Sequence, residues 1–310
     1  MPRLTKHDLA GLFGTTADRL PDPCLEKIAR GDWQYQPVDD EERDAIVLDL
    51  LGRIESRKLS TVGNEDKTRW LKGWGENLQA FREQNGSLEA LVPKYIRADQ
   101  PVRLFGSFVR PAHPQFELRW YEIFRQWFFQ THLRNFAHIF EFGCGSGFNV
   151  AELAQLYPKA AITGLDWAQP SVDIVNELRA RKGLNVFGRL FDFFHPDHTL
   201  DIPPNSAVFT IGALEQTGTQ WGAFIEFLLA KKPERVFHIE PILEWYDEAS
   251  LVDYTAVKAH EVRNFWRGFP GKLLELERQG LATIHHTKRA YFGSLVLEGY
   301  SQIIWSPRPQ

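Results

Sequence analysis

The stretch that decides the fold is Ile139-Phe-Glu-Phe-Gly-Cys-Gly-Ser-Gly-Phe-Asn-Val150. Ile139 to Phe142 is an apolar run of the kind that ends a buried strand. Gly143, Gly145 and Gly147 follow at alternate positions. A helical stripe then begins, with Val150, Leu153, Ala154 and Tyr157 on one face. Strand, glycine turn and helix together form the entry unit of a doubly wound α/β domain. The turn needs glycine because the backbone must bend sharply and approach a ligand with no Cβ in the way. The unpaired N–H groups at the start of the next helix face that ligand. A dinucleotide fingerprint, G-x-G-x-x-G counted from Gly143, requires a glycine where Phe148 stands, so it is excluded. What stands here is an acid two residues ahead of the first glycine, E-x-G-x-G-x-G from Glu141 to Gly147.

Further strands follow in order. Ala161 to Asp166 is an apolar run ending in an acid, at roughly the 20-residue offset where such folds place a ribose-binding carboxylate. Trp167 comes next. Asn185 to Phe191 reads as a third strand, with Asp192 and Phe193 at its end. Ser206 to Ile211 runs into Gly212-Ala-Leu-Glu-Gln-Thr217, and Arg235 to Glu240 is a fifth strand ahead of Pro241. Ala282 to Tyr291 and Tyr300 to Trp305 read as two more.

The Glu141–Gly147 motif and its successors resemble the class I S-adenosylmethionine-dependent methyltransferases, over about residues 137 to 306. The resemblance implies a seven-stranded, mostly parallel sheet with an antiparallel last pair at its far edge. It implies that Gly143, Cys144, Gly145 and Gly147 pack against the methionyl part of S-adenosyl-L-methionine, and that Glu141 holds its amino group. It places Asp166 on the ribose and Trp167 near the adenine. It gives Asp192 the adenine amino group and the Phe193 backbone a ring nitrogen. Gly212 belongs to the exit of the fourth strand, where the family often has V-L-E-H; here Gln216 replaces the histidine. A cationic ammonium and sulfonium suit an acidic mouth better than a pyrophosphate does.

With 310 residues, one or two domains are expected. We divide the chain into a helical N-terminal cap, 1–136, and a cofactor-binding domain, 137–310. The net charge of −4 points neither to nucleic acid nor to an anionic membrane. There is no apolar run of about 18 residues and no signal pattern at Met1–Ala10, so a cytoplasmic protein is expected. The oligomeric state is left open, with a homodimer among the options. Cys24 and Cys144 have no zinc spacing and form no disulfide framework, and Cys144 reads as a small residue that fits the turn. With 10 Trp and 23 Phe, the chain has the means to line a pocket for flat or apolar substrates.

In the cap, Asp39 is an N-cap with Glu42 three residues on, and Ile46, Val47, Leu50, Leu51 and Ile54 form an apolar stripe. A second helix is expected over Asn64 to Gln84, carrying Trp70, Leu71, Trp74, Leu78 and Phe81 on one side. Arg97 to Pro114 reads as loop. An aromatic helix is expected from Phe116 through His132, either covering the sheet as core alone or also forming the roof of the site. Arg103, Arg110 and Arg119 are candidate anion contacts or surface ion pairs. Glu248 to Gly280 is expected to be mainly helical, with a break at Gly268–Gly271.

Methyl transfer from a sulfonium is an in-line displacement, so the site must hold nucleophile and methyl close, aligned and dry. A hydroxyl acceptor needs a base, and a positioned His, Asp or Glu contributes about 10²–10⁴-fold. Ligands sit at the carboxyl ends of strands in open α/β sheets, which selects Glu215, His238 and Glu240 as catalytic candidates. His238 and Glu240 share one face of their strand. A base is favoured over a metal, because the usual aspartate-rich metal pattern is missing; no metal ligands are assigned. His285 and His286 point to opposite faces. The expected function is methyl transfer to a small-molecule hydroxyl, on a sugar or secondary metabolite. The alternatives are N- or C-methylation, or a non-catalytic cofactor-binding protein of the same fold. No N/D-P-P-Y motif follows the fourth strand, which argues against methylation of adenine or glutamine amino groups.

Overall fold

The computed structural model describes residues 1–56, 59, 62–63 and 67–308. Five helices precede the main sheet among these residues: α1 (Lys6–Phe13), α2 (Asp22–Arg30), α3 (Asp40–Glu55), α4 (Thr68–Glu83) and α5 (Phe116–Phe128). The Thr5 hydroxyl accepts from the Asp8 N–H and the Asp8 carboxylate accepts from the Thr5 N–H, a capping box that starts α1. Pro23 sits in the first turn of α2, where a missing N–H costs nothing. Asp39 caps α3 by accepting from the Glu42 N–H at 2.8 Å, as the sequence predicts. Of the expected second helix, Asn64 to Asp66 lie outside the described residues. From Thr68 the helix runs without a break through Gly73 and Gly75. α5 continues into a π-helical turn, Phe129–Leu133.

The main sheet contains β1 (His138–Phe142), β2 (Ala161–Asp166), β3 (Val186–Leu190), β4 (Ser206–Ile211), β5 (Arg235–Glu240), β6 (Ala282–Lys288) and β7 (Ser301–Pro307). Their order across the sheet is β3-β2-β1-β4-β5-β7-β6. The first five are parallel; β7 runs antiparallel to both β5 and β6. Helices α6 (Phe148–Leu156), α7 (Gln169–Lys182) and α8 (Gly222–Lys231) cross between the parallel strands. α9 (Leu251–Arg263) and α10 (Phe269–Arg278) lead to the antiparallel pair. The order reverses between β1 and β4, and there the carboxyl ends of adjacent strands diverge and leave a crevice.

Both faces of the sheet are covered, which is why its central strands are apolar almost throughout. On one face α5 packs directly on the strands: Phe128 meets Phe237 edge-on at 5.4 Å and lies 6.3 Å from Phe209. On the other, Phe142, Phe191, Phe224 and Phe227 form a second aromatic cluster. One continuous core joins Phe13, Trp33 and Leu91 of the N-terminal region to Ile139 and Phe209 of the sheet. The division at residue 136 therefore marks a change of pattern along the chain and not a gap in the core.

The segment expected to be loop, Arg97 to Pro114, instead contains a hairpin, Val102–Leu104 with Ser107–Pro111. Phe105 and Gly106 at its tip both have positive φ, 52° and 76°, the backbone of a primed hairpin turn. A phenylalanine at that position hides the turn from the sequence. Tyr35–Pro37 and Phe292–Gly293 flank the hairpin in a four-stranded antiparallel sheet. Arg103 is no surface anion contact: it is fully buried and donates to the Leu295 and Val252 carbonyls and the Thr255 hydroxyl. Arg110 pairs with Glu42 at the surface. No helix is long and apolar enough to cross a membrane among the described residues.

Candidate active site

The glycine turn after β1 is tied to the end of β2. The Gly143 and Cys144 N–H groups both donate to the Leu165 carbonyl, at 2.7 and 3.0 Å. Gly143, Gly145 and Gly147 have φ of 79°, 52° and 71°, a left-handed backbone that other residues adopt only with strain. A Cβ on Gly143 would lie 2.3 Å from the Ala213 Cβ, and one on Gly145 2.8 Å from the Trp74 ring. The turn is therefore pressed between the exit of β4 and helix α4. The Cys144 sulfur packs against Gly164, and burial, with Asp166 and Glu141 close by, pushes its thiol far up. It is an inert thiol, as the sequence reading has it.

Two acids flank the turn. Glu141 is 1% exposed, and Asn149 donates to its Oε1 at 2.6 Å. The Tyr121 hydroxyl in turn donates to Asn149 Oδ1 at 3.2 Å, which fixes the amide. Glu141 Oε2 has no partner. Burial lifts this carboxyl to about 8, against the opposing pull of Asn149 and Arg125. Asp166 accepts from the Gly145 and Ala168 N–H groups, each at 2.9 Å, and burial lifts it to about 6. A carboxylate offers about four lone-pair positions, so Asp166 keeps acceptor capacity for a ligand.

A cleft of about 520 Å³ of open space, its mouth included, lies beside this turn. Gly143, Asp166, Trp167, Phe193 and Gly212 line it from the sheet side, and Trp70 and Trp74 from α4. Trp70 and Trp74 stack at 5.7 Å, and Trp167 stacks on Phe194 at 6.1 Å. Asp192 sits at the edge, accepting from Lys67 Nζ at 2.7 Å and from the Phe194 N–H at 2.9 Å. Burial pushes the Asp192 carboxyl up, but the Lys67 ammonium and the Phe194 N–H outweigh it and hold the group below its usual range. The Lys67 ammonium also lies 4.8 Å from the Trp167 ring centre. The sequence placed these tryptophans on the apolar stripe of a helix. It did not show that the stripe would close over the turn.

The three catalytic candidates separate in space by role. Glu240 accepts from the Ala213, Leu214 and Glu215 N–H groups at 3.1 to 3.3 Å and so caps the turn after β4. His238 is two residues deeper in the same strand and is fully buried among Phe269, Trp266 and Trp305. Its Nδ1 meets the Thr210 hydroxyl at 3.0 Å, and burial depresses it to about 3. This corrects the expectation for His238: it is away from the cleft and too weak a base at neutral pH. Glu215 remains an inward-facing acid. Gln216 donates to its Oε1, its Oε2 is unpartnered, and burial followed by the adjacent Glu240 carboxylate pushes it well above the usual range. Among the described residues, no group of three or more His, Cys, Asp or Glu side chains is placed to hold a metal ion.

Two further groups approach from the cap side, and the sequence reading passed over both. Glu117, near the start of α5, is 6% exposed; Gln100 Nε2 donates to it at 3.2 Å and the Tyr300 hydroxyl at 3.3 Å. Burial lifts it to about 7. Tyr95 is 54% exposed, yet its phenol is pushed well up by burial and by Tyr121, Glu215, Glu117 and Glu141.

The strand order, the glycine turn after β1 and the acid at the end of β2 are those of the class I S-adenosylmethionine-dependent methyltransferase fold, and the chain has that fold. No protein-family model and no curated protein matches the sequence. Three solved structures illustrate the likeness. Human N-acetylserotonin methyltransferase in complex with S-adenosylmethionine is 14% identical over 93% of this chain and 70% of that one, with a TM-score of 0.46. The plantazolicin methyltransferase BpumL, in complex with a monoazolic desmethylPZN analogue and SAH, is 12% identical over 60% of this chain and 81% of that one, with a TM-score of 0.42. NcsB1, an O-methyltransferase from neocarzinostatin biosynthesis, is 14% identical over 62% of this chain and 57% of that one, with a TM-score of 0.40.

Proposed function

We propose that this chain binds S-adenosyl-L-methionine in the cleft beside the Glu141–Gly147 turn and transfers its methyl group to a hydroxyl of a small molecule. The observation that carries the reading is the unpartnered Glu141 Oε2, buried beside a glycine turn that a Cβ would block. A buried carboxyl oxygen with no donor costs about 1–3 kcal/mol unless something donates to it. An ammonium of the cofactor's methionyl part meets that need. The residues present fit the rest of the group. Asp166 has acceptor positions for ribose hydroxyls, and Trp167, Phe193 and Phe194 give flat walls for a purine. When bound, the cofactor supplies an electrophilic methyl on a sulfonium. The chain's own residues hold it, exclude water with Trp70 and Trp74, and present the acceptor from the cap side.

Calorimetric titration of the protein with S-adenosylmethionine and with NAD tests the cofactor. Binding of the first and not the second is expected, and the reverse sinks the reading. Asp166→Ala should weaken binding by about 1.5–3 kcal/mol, the worth of a hydrogen bond to a charged group.

A further inference from the structure

Helix α4 has two halves with different surroundings. The C-terminal half is set in the core. Asn77, Leu78 and Phe81 are buried, the Asn77 amide donates to the Ala90 carbonyl at 2.9 Å, and Arg82 pairs with Glu177 of α7 at 2.6 Å. The N-terminal half lies over the cleft, with Trp70 and Trp74 among its walls and Leu71 and Lys72 exposed on the other side. Gly73 and Gly75 stand where the halves meet. Neither has a positive φ, and a Cβ built on either meets nothing within 4 Å. Neither turn geometry nor close packing calls for glycine there, and each weakens the helix relative to alanine. The half over the cleft is held at two points. Lys67, whose carbonyl accepts from the Trp70 and Leu71 N–H groups at 3.2 and 3.1 Å, reaches Asp192 with its ammonium at 2.7 Å and lies 4.8 Å from the Trp167 ring centre. About two turns on, the Trp74 ring lies so close to Gly145 that a Cβ there would come within 2.8 Å of it. The Gly145 N–H in turn donates to the buried Asp166 at 2.9 Å.

We propose that residues 67–74 form a lid that pivots at Gly73 and Gly75, with Lys67 as its latch, and that the purine end of the cofactor enters by displacing the Lys67 ammonium from Asp192 and from the Trp167 ring. This rests on the cofactor-binding reading above. A purine with an exocyclic amino group needs a flat face and an acceptor at its edge. Trp167 and Asp192 supply both, and the ammonium now engages both. The latch is weak by construction. Its side chains are 36% and 25% exposed, so water and salt compete for the pair and it opens readily. The hinge matches it, because helices kink where glycine leaves the backbone free. With the latch released, the anchored half of α4 stays in the core while Trp74 lifts from Gly145 and uncovers Asp166. With the cofactor seated, the same half returns and Trp70 and Trp74 exclude water from the site.

The test uses the full chain and S-adenosylhomocysteine, with association and dissociation followed by stopped-flow tryptophan fluorescence. Lys67→Met keeps the apolar stem and removes the charge. Its association should be about threefold to tenfold faster than wild type, the worth of an exposed ion pair and a cation–π contact. The ammonium and carboxylate of this ligand cancel near neutral pH, so salt acts chiefly on the latch. Wild-type association should quicken from about 0.05 M to about 0.5 M salt and approach the Lys67→Met rate, which should stay flat. Gly73→Ala combined with Gly75→Ala stiffens the helix. The melting temperature should rise while association and dissociation both slow by about tenfold. Gly52→Ala in α3, where a Cβ also meets nothing within 4 Å, should raise the melting temperature and leave both rates unchanged. The inference is overturned if Lys67→Met associates no faster than wild type, or if the paired glycine variant keeps the wild-type rates. A wild type that binds no S-adenosylhomocysteine overturns the underlying reading instead.

Discussion

Cofactor binding should be coupled to loss of a proton from Glu141. The free protein holds this carboxyl protonated up to about pH 8, because burial outweighs its single Asn149 donor. A cationic ammonium at Oε2 needs the carboxylate. Binding must therefore expel the proton, and affinity should fall about tenfold for each pH unit below the free-protein value. At pH 6 the cofactor should bind roughly 20-fold more weakly than near pH 8, where Glu141 is half ionised and the cofactor's ammonium about half lost. Above that the rise should stop, since an α-amino group itself loses its proton at about 7.7–8.0. A narrow optimum near pH 8 results. Calorimetry at pH 6, 7, 8 and 9, in two buffers of different ionisation enthalpy, reads both the affinity and the protons released. About one proton per cofactor is expected at pH 7. S-adenosylhomocysteine keeps the ammonium and lacks the sulfonium, so it should show the same slope. Glu141→Gln, checked for folding by its thermal melt, should bind more weakly at pH 8 and show no rise from pH 6. Equal affinities across pH 6 to 8 in the wild type would refute the assignment of Oε2 to the ammonium.

Three other outcomes are expected. The stability of the free protein should fall as pH rises from 6.5 to 8. Glu117 and Glu141 titrate at about 7 and about 8 in the fold, so the native state binds more protons than the unfolded chain in that window. Below pH 6.5 the trend should be opposed by His132, His238 and His260, which burial holds neutral in the fold and which charge on unfolding; thermal melts across pH 5 to 8.5 check both limbs. Arg103→Met should cost about 3 kcal/mol or more in urea unfolding, because it leaves the Val252 and Leu295 carbonyls without their buried donor. His238→Phe should change kcat by far less than the roughly 10²-fold that loss of a general base costs, measured on whichever hydroxyl compound the wild type methylates.

The central strands were legible in the sequence because they are buried and so appear as apolar runs, with glycine or an acid at or just past the ends of β1, β2, β4 and β5. Glu141, Asp166 and the three glycines were legible for a local reason. Their positions are set by backbone within a few residues, a left-handed turn here and a strand end there. The acid–base assignment was not local. His238 and Glu240 do share a strand face, but strand alternation says nothing about depth. One step inward from the tip is enough to turn a candidate base into a core histidine depressed to about 3. Glu240 reaches the tip and is drawn to the nearest unpaired N–H groups, which are those of Ala213 to Glu215. Glu117 shows the converse. The sequence reading gave it no role, and it is the arrival of Tyr300, 183 residues further along the chain, and of Gln100 that partners this buried acid. The hairpin was lost in the same way, through Phe105 at a turn position that sequence rules reserve for Asn, Asp or Gly. The hairpin bears on the Tyr300–Glu117 contact because its partner strand, Phe292–Gly293, lies eight residues ahead of Tyr300 and stacks Phe292 on Trp120 at 4.2 Å. Phe292–Gly293 and Trp120 thus tie the segment carrying Tyr300 to the helix carrying Glu117. The small sheet that hides in the sequence as loop thus helps set where Tyr300 meets Glu117.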